Sequence, residues 1–336
     1  MDIQLTNKQL LAWAGISNEV YTAVQTAEGD EFVANKNKFL TSLVNKIAET
    51  RIHKASVSNP FAKYDSFPIN YGDTVENVFV DIPMGYDYNI DNAGTKLLEP
   101  VKPPVTTLYV TMNYQKQYKV CIYDTQVRQA VRNEYQLQNL VQFILGSMYD
   151  SADLDEYFAQ IAMLSTQTDM YAKGIEAENT TSANVGKDIT AKIVEVVSNF
   201  KFPNKTNNKK GVINPSLQND ILLVIKQDLL NKINLDYLSG VFNLSKVDLI
   251  KNIMPVESFV VPVYNATSKA TENKGKDISF VILDTRGFDN HLALNSSGMF
   301  YNAEGLFTNH YHNRWRLYGY KLWFNARAFK YTITEW

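Results

Sequence analysis

The stretch that most constrains the fold runs from 133 to 174 and is free of proline, with Gly146 as its only internal glycine. Its apolar residues recur at helical spacing, in two sets on either side of an acidic patch: Leu137, Leu140, Val141, Ile144, Leu145 and Met148, then Phe158, Ile161, Ala162 and Leu164. We predict one helix, capped by Asn133 and stopped by Gly174, about 60 Å long if continuous. A break near Asp150 is the alternative. A long rod without a catalytic motif first suggests an architectural protein.

Composition narrows the class of protein. The chain has 336 residues, is 45% hydrophobic and 20% charged, and is therefore expected to be globular, with one elaborate domain or two. No apolar run reaches the length of about 18 residues that a membrane span needs, and the first residues lack the pattern of a signal peptide. The single cysteine, Cys121, excludes internal disulfides and indicates a reducing compartment. A net charge of −2 without a basic stripe argues against direct DNA readout.

Residues 108–122 alternate with a period of two. Seven of the eight even positions are apolar or aromatic, which predicts a strand of about 15 residues. The segment 74–82 alternates as well, and a polar, proline-containing stretch separates the two. We therefore predict a long two-stranded arm. An isolated hairpin is marginally stable in water, so its outer part needs a partner surface and indicates contact between molecules. The alternative is an ordinary sheet within one domain.

Residues 177–296 are predicted to form a compact α/β body. A helix over 189–200 would be capped by Asp188 and stopped by Pro203. The segment 211–230 is typical of a strand followed by a helix, with Asn214 as the cap and Pro215 at the first helical position. Buried strands are expected at 256–263 and 278–283, with a polar loop between them.

The two ends of the chain are predicted with less detail. Residues 1–60 carry two short helical patterns, which we interpret as an arm packed on a larger body, followed by a turn at Asn59–Pro60. Residues 300–336 are rich in aromatic residues in two alternating registers, one through Phe307, Tyr311 and Trp315 and one after Gly319. This pattern predicts a pair of strands with a heavy core face.

The residues that could carry chemistry are few. His310 and His312 would share one side of a strand, and with His291 they could bind zinc, but we expect them to face solvent or an interface. Asp153, Asp155 and Glu156 could serve a glycoside hydrolase, but such a charged helical face is usually solvated. No HExxH, GxSxG, GxGxxG or P-loop motif is present, nothing marks Cys121 as a nucleophile, and 284–287 is interpreted as a turn.

Several segments, in the same order along nearly the whole chain, resemble the major capsid proteins of phi-29-type small podoviruses. They are QTAEGDEF near Gln25, NPFAKYDSFPINYGDTVENVFVDI at 59–82, SADLDEYFAQIAML at 151–164 and GLFTNHYHNRWRLYGYKLWFNARAF at 305–329. None is diagnostic alone, because capsid proteins carry no catalytic signature, and it is the shared order that carries the resemblance.

The resemblance implies an α+β chain with the Hong Kong 97-type phage capsid fold. Its parts would be an N-terminal arm at 1–58, a peripheral domain with the spine helix at 59–75, 117–176 and 297–336, an extended loop arm at 76–116 and an axial domain at 177–296. The arm would place interface residues against a neighbouring subunit: Tyr86, Tyr88, Lys96, Glu99 and Lys102. The additional immunoglobulin-like domain of some relatives is expected to be absent. Nothing in the sequence supports carrying over the Lys–Asn cross-links of some related capsids.

The implied function is that of a major capsid protein, without enzymatic activity, cofactor or bound metal. It would self-assemble into pentamers and hexamers of an icosahedral or prolate shell around double-stranded DNA, held without sequence specificity. The implied partners are sister copies, the portal protein, a scaffolding protein and head fibres, with no membrane, in a virion assembled in the bacterial host cytoplasm. The alternatives are another virion structural protein, such as a portal or connector, and a carboxylate-based glycoside hydrolase.

Overall fold

A computed structural model describes residues 56–70, 72–83, 85, 100, 102, 104–123, 134–182, 184–233, 252–265 and 270–334. The chain divides into two compact units, one made of 1–54 and 127–143 and the other of 55–126 and 144–336. The description below concerns the second unit and the helix that begins at Glu134. The N-terminal helical patterns and most of the tip of the arm lie outside the described residues.

The long helix, α1, spans Glu134–Thr166 and is continuous across Asp150. The predicted stop at Gly174 is wrong, because the helix ends eight residues earlier. The fully buried Tyr171 folds back and donates its hydroxyl hydrogen to the carbonyl of Leu164, which turns the chain away from the helix axis. Gly174 adopts a positive φ of 69° at the next turn, a conformation that favours glycine, and leads into a strand.

The residues between 74 and 123 contribute strands to two antiparallel sheets. The first pairs β1 (Thr74–Val80) with β2 (Val105–Thr111), with Val80 opposite Val105. The second has three strands, in the order β10 (His291–Asn302), β11 (Phe307–Leu317) and β3 (Tyr114–Tyr123). The predicted continuous strand over 108–122 is therefore wrong, since it is broken at 112–113 and its halves belong to different sheets. The predicted pairing of 74–82 with the upstream half of this run is confirmed.

A single asparagine accounts for the break between β2 and β3. The side chain of Asn113 donates to the carbonyl oxygen of Tyr318 at 2.7 Å and accepts from the Tyr318 amide at 2.9 Å. It thus takes the hydrogen bonds that a strand neighbour would otherwise supply. The chain can change sheets here without leaving these backbone groups unpaired.

The main sheet has five strands in the order β4-β12-β9-β5-β6. The first two strands of this sheet along the chain are β4 (Ile175–Thr181) and β5 (Ile221–Lys226), which flank α2 (Val185–Lys201). After the short helix α3 (Gln227–Leu230) come β6 (Ile253–Val256), the hairpin of β7 (Val261–Asn265) and β8 (Ala270–Lys274), and β9 (Phe280–Asp284). The chain ends its described part with β10 (His291–Asn302), β11 (Phe307–Leu317) and β12 (Ala326–Thr334).

The five-stranded sheet is buried on both faces. Alternate residues of β5 enter different cores: Leu223 and Ile225 pack with the apolar face of α2, whereas Leu222 and Val224 share a core with Ile161 and other residues of α1. This explains why β5 and β9 are continuous apolar runs rather than alternating ones.

Several predicted boundaries are corrected. Asp188 lies inside the first turn of α2 instead of capping it, and accepts a hydrogen bond from the Thr180 hydroxyl. No helix begins at Asn214 or Pro215, since 211–217 have no regular structure and a 3-10 turn at Gln218–Asp220 leads directly into β5. The polar loop expected after 263 contains β8. The stop of α2 before Pro203, the turn at Thr285–Gly287 and the turn capped by Asn59 are confirmed.

The predicted pair of C-terminal strands is wrong. β11 pairs with β10 and β3, whereas β12 runs parallel to β4 and antiparallel to β9. The segment 318–325 carries the chain from one sheet to the other. The strand β12 therefore lies among strands of 177–296, although the sequence interpretation grouped it with 297–336. The division into peripheral and axial domains stays a prediction.

Candidate assembly site

The acidic patch on α1 contacts the three-stranded sheet. Glu156 is buried, with 1% of its side chain exposed, and one oxygen accepts from the Nε atoms of Arg314 and Arg316, each at 2.7 Å. Arg316 also pairs with Asp65, which brings in the segment after the Asn59 turn. The expectation of a solvated face is wrong for Glu156, because the two arginines of β11 point to the same side of the strand and meet it.

The neighbouring carboxylates of α1 complete this contact. Asp155 accepts a hydrogen bond from the Tyr118 hydroxyl at 2.9 Å, and Asp153 lies 3.6 Å from Arg314. Burial, followed by the hydrogen bond with Tyr114, raises the pKa of Tyr118 far above its usual value, so Tyr118 stays a donor. Burial raises the pKa of Glu156 as well, and the charges of Arg316 and Arg314 act against that rise. The patch thus holds the helix against the sheet.

This geometry does not provide a pair of carboxylates for catalysis. A cavity of about 340 Å³ lies beside α1 and the start of β3, and Asp155 lines it, but Glu156 does not. A hydrolase of the predicted kind needs both carboxyl groups on either side of the same bond. Glu156 is instead held by two guanidinium groups on the sheet side.

The three histidines considered as zinc ligands have separate environments. His312 is fully buried, with Nδ1 3.0 Å from the Ser297 hydroxyl, so the expectation that it faces solvent or an interface is wrong. Burial and the charge of Arg314 lower the pKa of His312. His291 bonds to Asp289 instead. Within the described ranges, no three His, Cys, Asp or Glu side chains are placed to hold a metal ion.

The root of the arm, which we define as β1 and β2, packs its inner face on the body of the same chain. The Phe79 ring stacks on Trp323 with centroids 5.4 Å apart, and Asn77 donates to the buried Asp289 at 2.6 Å. Gly319 allows Val110 to approach closely, since a Cβ at Gly319 would lie 2.9 Å from Val110 Cγ1. The root is therefore held in one orientation on the body.

The outer face of the arm root is exposed and carries several large apolar side chains beside Glu76 and threonines. Val80 is 61% exposed and Tyr109 63% exposed. The other large apolar side chains of this surface are Val78, Ile82 and Val105. Since Val78 is opposite Thr107 and Val80 opposite Val105, these side chains stand together on one side of the ribbon. Monomeric proteins rarely leave a contiguous apolar patch of this kind without a partner.

Exposed apolar side chains also gather at the turn between β10 and β11, on both faces of the hairpin. Met299, Phe300 and Tyr301 are consecutive and exposed, and Leu306 and Tyr123 are exposed nearby, with Phe307 opposite Tyr123 in the sheet. β10 is an edge strand, so one side of its backbone has no neighbour within the described sheet. We call this surface the hairpin tip.

Of the five residues predicted at the subunit interface, only Lys102 falls within the described residues, where it is exposed. Tyr86, Tyr88, Lys96 and Glu99 lie outside them. The alternating pattern could locate the arm but could not reveal which face of its root packs on the body.

A sequence model of the Phi29-like phage major capsid proteins matches residues 7–330. The chain belongs to this family. The major capsid protein of Bacillus phage PZA is 26% identical over 301 residues, covering 88% of this chain and 63% of the relative, so the chain spans less than two thirds of that relative. The major capsid protein of Streptococcus phage Cp-1 is 24% identical over 273 residues, covering 76% of this chain and 73% of the relative.

Solved structures agree on the fold. A chain of the capsid structure of Staphylococcus phage Andhra superposes with a TM-score of 0.70 at 15% identity, covering 85% of this chain and 88% of that one. A chain of the capsid structure of cyanophage P-SCSP1u gives 0.55 at 12% identity, covering 98% and 100%. The predicted α+β, Hong Kong 97-type capsid fold is therefore confirmed. Among the described residues, no helix is both long enough and apolar enough to cross a bilayer.

Sequence reasoning missed the contact between Glu156 and the two arginines. The signal that could have found it is the spacing of Arg314 and Arg316, which alternate around Trp315 and must share one side of any strand. Two cations on one side of a strand in an aromatic-rich segment need an anion if they are buried. Glu156, in the acidic patch of the long helix, is a candidate for that anion.

Proposed function

We propose that this chain, as a member of the Phi29-like major capsid family, assembles into pentamers and hexamers of an icosahedral or prolate shell that encloses double-stranded DNA. The observation that carries the proposal is the arm root, which is fixed to its own body by one face and leaves an apolar face uncovered on the other. A sister copy is the partner that a shell supplies to every subunit. Covering the patch then contributes to association through burial of apolar area.

The proposed contact is heterologous. The outer face of one arm lies on the next copy, and repetition of this contact with rotational closure gives a capsomer. The hairpin tip supplies a second surface between copies, and the axial domain at 177–296 meets its copies at the centre of the ring. The N-terminal arm at 1–58 adds a further contact. Many modest contacts of this kind, repeated over the shell, resist the pressure of the packaged DNA.

The tip of the arm is proposed to complete the interface. Its residues Tyr86, Tyr88, Lys96, Glu99 and Lys102 lie between β1 and β2 along the chain, beyond the ribbon that packs on the body. Support comes from the register of the ribbon, whose open end is at Val80 and Val105, and these residues lie between the two in the sequence.

The remaining proposed partners follow from a capsid role. They are the portal protein, a scaffolding protein, head fibres and packaged DNA, in a virion that is assembled in the host cytoplasm. The net charge of −2 fits a wall that holds DNA without binding it tightly, because electrostatic binding to DNA requires clustered cations.

The test is Val80→Asp in the full-length chain, compared with Phe202→Asp. Val80 is 61% and Phe202 65% exposed, so both substitutions place a charge at a similarly exposed apolar position, but only Val80 lies on the arm. We expect wild type and the Phe202 variant to form shells or capsomers in electron micrographs, with portal and scaffolding protein co-expressed, and the Val80 variant to remain as folded subunits. Circular dichroism would show equal thermal stability for the two variants.

Normal shells from the Val80 variant would contradict the assembly role of the arm. Rings of fixed count from the wild-type chain would favour a portal or connector instead. Hydrolysis of a glycoside that Glu156→Gln abolishes without loss of folding would favour the hydrolase.

A further inference from the structure

His291, at the start of β10, has a hydrogen-bond acceptor at each ring nitrogen. Its Nδ1 lies 2.7 Å from the carbonyl oxygen of Phe67, and its Nε2 lies 3.1 Å from a carboxylate oxygen of Asp289. A neutral imidazole has one N–H and can donate to only one of them, whereas the imidazolium donates to both. The arrangement of the two acceptors therefore fits the charged form of His291.

Two charged groups, Asp289 and Lys321, lie around His291, and Asn77 of β1 bonds to the first of them. Asp289 is fully buried and also receives Lys321 at 3.4 Å and the amide of Asn77 at 2.6 Å. The hydrogen bond to Asp289 raises the pKa of His291, and the hydrogen bond with the Phe67 carbonyl raises it further. Burial and the charge of Lys321 lower this pKa, and the net result is a rise above the usual 6.5. Burial alone would raise the pKa of Asp289, but the bond from His291 and the charge of Lys321 bring it below its usual value.

The segment 66–69 lies beside β10 and is held to it at three backbone groups. The amide of Ser66 donates to Asn290 at 2.7 Å, the amide of Ile69 donates to Leu292 at 2.8 Å, and the imidazole holds the carbonyl of Phe67 between them. The Phe67 side chain itself is 90% exposed. The segment thus presents a large apolar ring outward while its backbone is fixed from below.

We propose that His291 is a proton-operated clamp on the segment 66–69, closed when both ring nitrogens carry a proton and released when one proton leaves. This device goes beyond the assembly role, because it acts within one subunit. It would set how firmly Phe67 is presented at the surface.

The direction of release follows from the strengths of the two acceptors. A carboxylate accepts a stronger hydrogen bond than a carbonyl, so the remaining proton stays on Nε2, facing Asp289. The deprotonated Nδ1 then faces the Phe67 carbonyl oxygen. Both atoms present lone pairs, so they repel each other and the hydrogen bond is lost. Asp289 keeps Lys321, Asn77 and His291 as partners, so the root of the arm stays attached.

The sign of the pH dependence is fixed by the raised pKa. The clamp contributes stability that is fully present below the unfolded-state pKa of about 6.5 and is lost as the pH rises through the folded-state value. Release is therefore expected on the alkaline side, confined to 66–69.

The experiment is hydrogen–deuterium exchange of the full-length, unassembled chain, read by mass spectrometry over a range of pH. Exchange at the imidazole Cε1 position gives the midpoint of each of the four histidines. Amide exchange, corrected for its intrinsic pH dependence, gives the protection of 66–69 and, as an internal reference, of β1. We expect the His291 midpoint to lie above about 6.5 and protection of 66–69 to fall about three- to tenfold across it, while β1 stays constant.

Two variants sharpen the test. His291→Gln has a single donor nitrogen, which can take the place of only one of the two ring nitrogens, so protection of 66–69 should be low and independent of pH. His310→Gln should behave as wild type. A His291 midpoint at or below the usual value, or protection of 66–69 that does not change with pH, would overturn the clamp. Because the measurement needs no shell, failure of the assembly proposal would leave it unaffected.

Discussion

At the scale of single residues, the buried carboxylate of Glu156 shows what a sequence reveals and what it withholds. The acidic patch and the alternating arginines are both visible in the sequence. Their meeting is not, because Glu156 and Arg314 are 158 positions apart, and neither pattern specifies which element covers the other. The same applies to His312, whose burial depends on Tyr149 of α1, with ring centroids 4.4 Å apart.

The first prediction concerns Glu156→Gln. This change removes the negative charge but keeps the shape, and leaves Arg314 and Arg316 facing each other with less compensation. Breaking a buried ion pair from one side is expected to lower the free energy of unfolding by about 3 kcal/mol. Urea unfolding followed by circular dichroism measures it. Asp153→Asn is the matched control, because Asp153 is 36% exposed and its contact with Arg314 is 3.6 Å, which predicts a loss below about 1 kcal/mol. Equal losses in both variants would contradict the importance of burial.

At the scale of elements, the presence of a helix or strand is easier to predict from the sequence than the residues at which it begins and ends. The helices α1 and α2 and the strands of the arm were found from periodicity. Their ends were not, because they depend on tertiary contacts such as that of Tyr171 with Leu164. The alternation over 108–122 continues through the corner at 112–113, since the inward side is the same in both sheets. Only the paired hydrogen bonds of Asn113 with Tyr318 mark the break.

The second prediction concerns Asn113→Ala. The substitution removes both bonds to the backbone of Tyr318 and should lower the free energy of unfolding by about 1–2 kcal/mol. It should also increase amide exchange at Tyr318 and at the ends of β2 and β3. Gln115→Ala, at an exposed position of β3, should stay within about 0.5 kcal/mol of wild type. If Asn113→Ala were equally neutral, the corner would have to be held by the strand pairing alone.

At the scale of the whole molecule, one sheet separates two cores. Phe280 and Phe329 stack at 5.0 Å on the side of α2, while Val281 and Ala328 face the side of α1. The fold class and family could be predicted from the sequence. The place of β12 could not, because a parallel strand pair leaves no turn signature, and its partner β4 lies about 150 residues earlier.

The third prediction concerns Phe329→Ala on β12, an inner strand of this sheet. Phe329 is fully buried, so the loss of its ring should cost about 3–5 kcal/mol and lower the unfolding temperature of both cores together. Ile333→Ala, in the same strand but 37% exposed, should cost below about 1 kcal/mol, because less apolar area returns to water. Calorimetry measures both. Two separate transitions in the Phe329 variant would show that the cores unfold independently.

The position of β12 also bears on the order of events during translation. β4 has β12 as its only strand neighbour in the described sheet, and β12 leaves the ribosome after every other strand of that sheet. A nascent chain therefore holds β4 without its neighbour until residues 326–334 emerge. An unpaired strand edge is a site at which other chains can associate, so we expect growing chains to be most prone to aggregation in the interval before β12 pairs with β4.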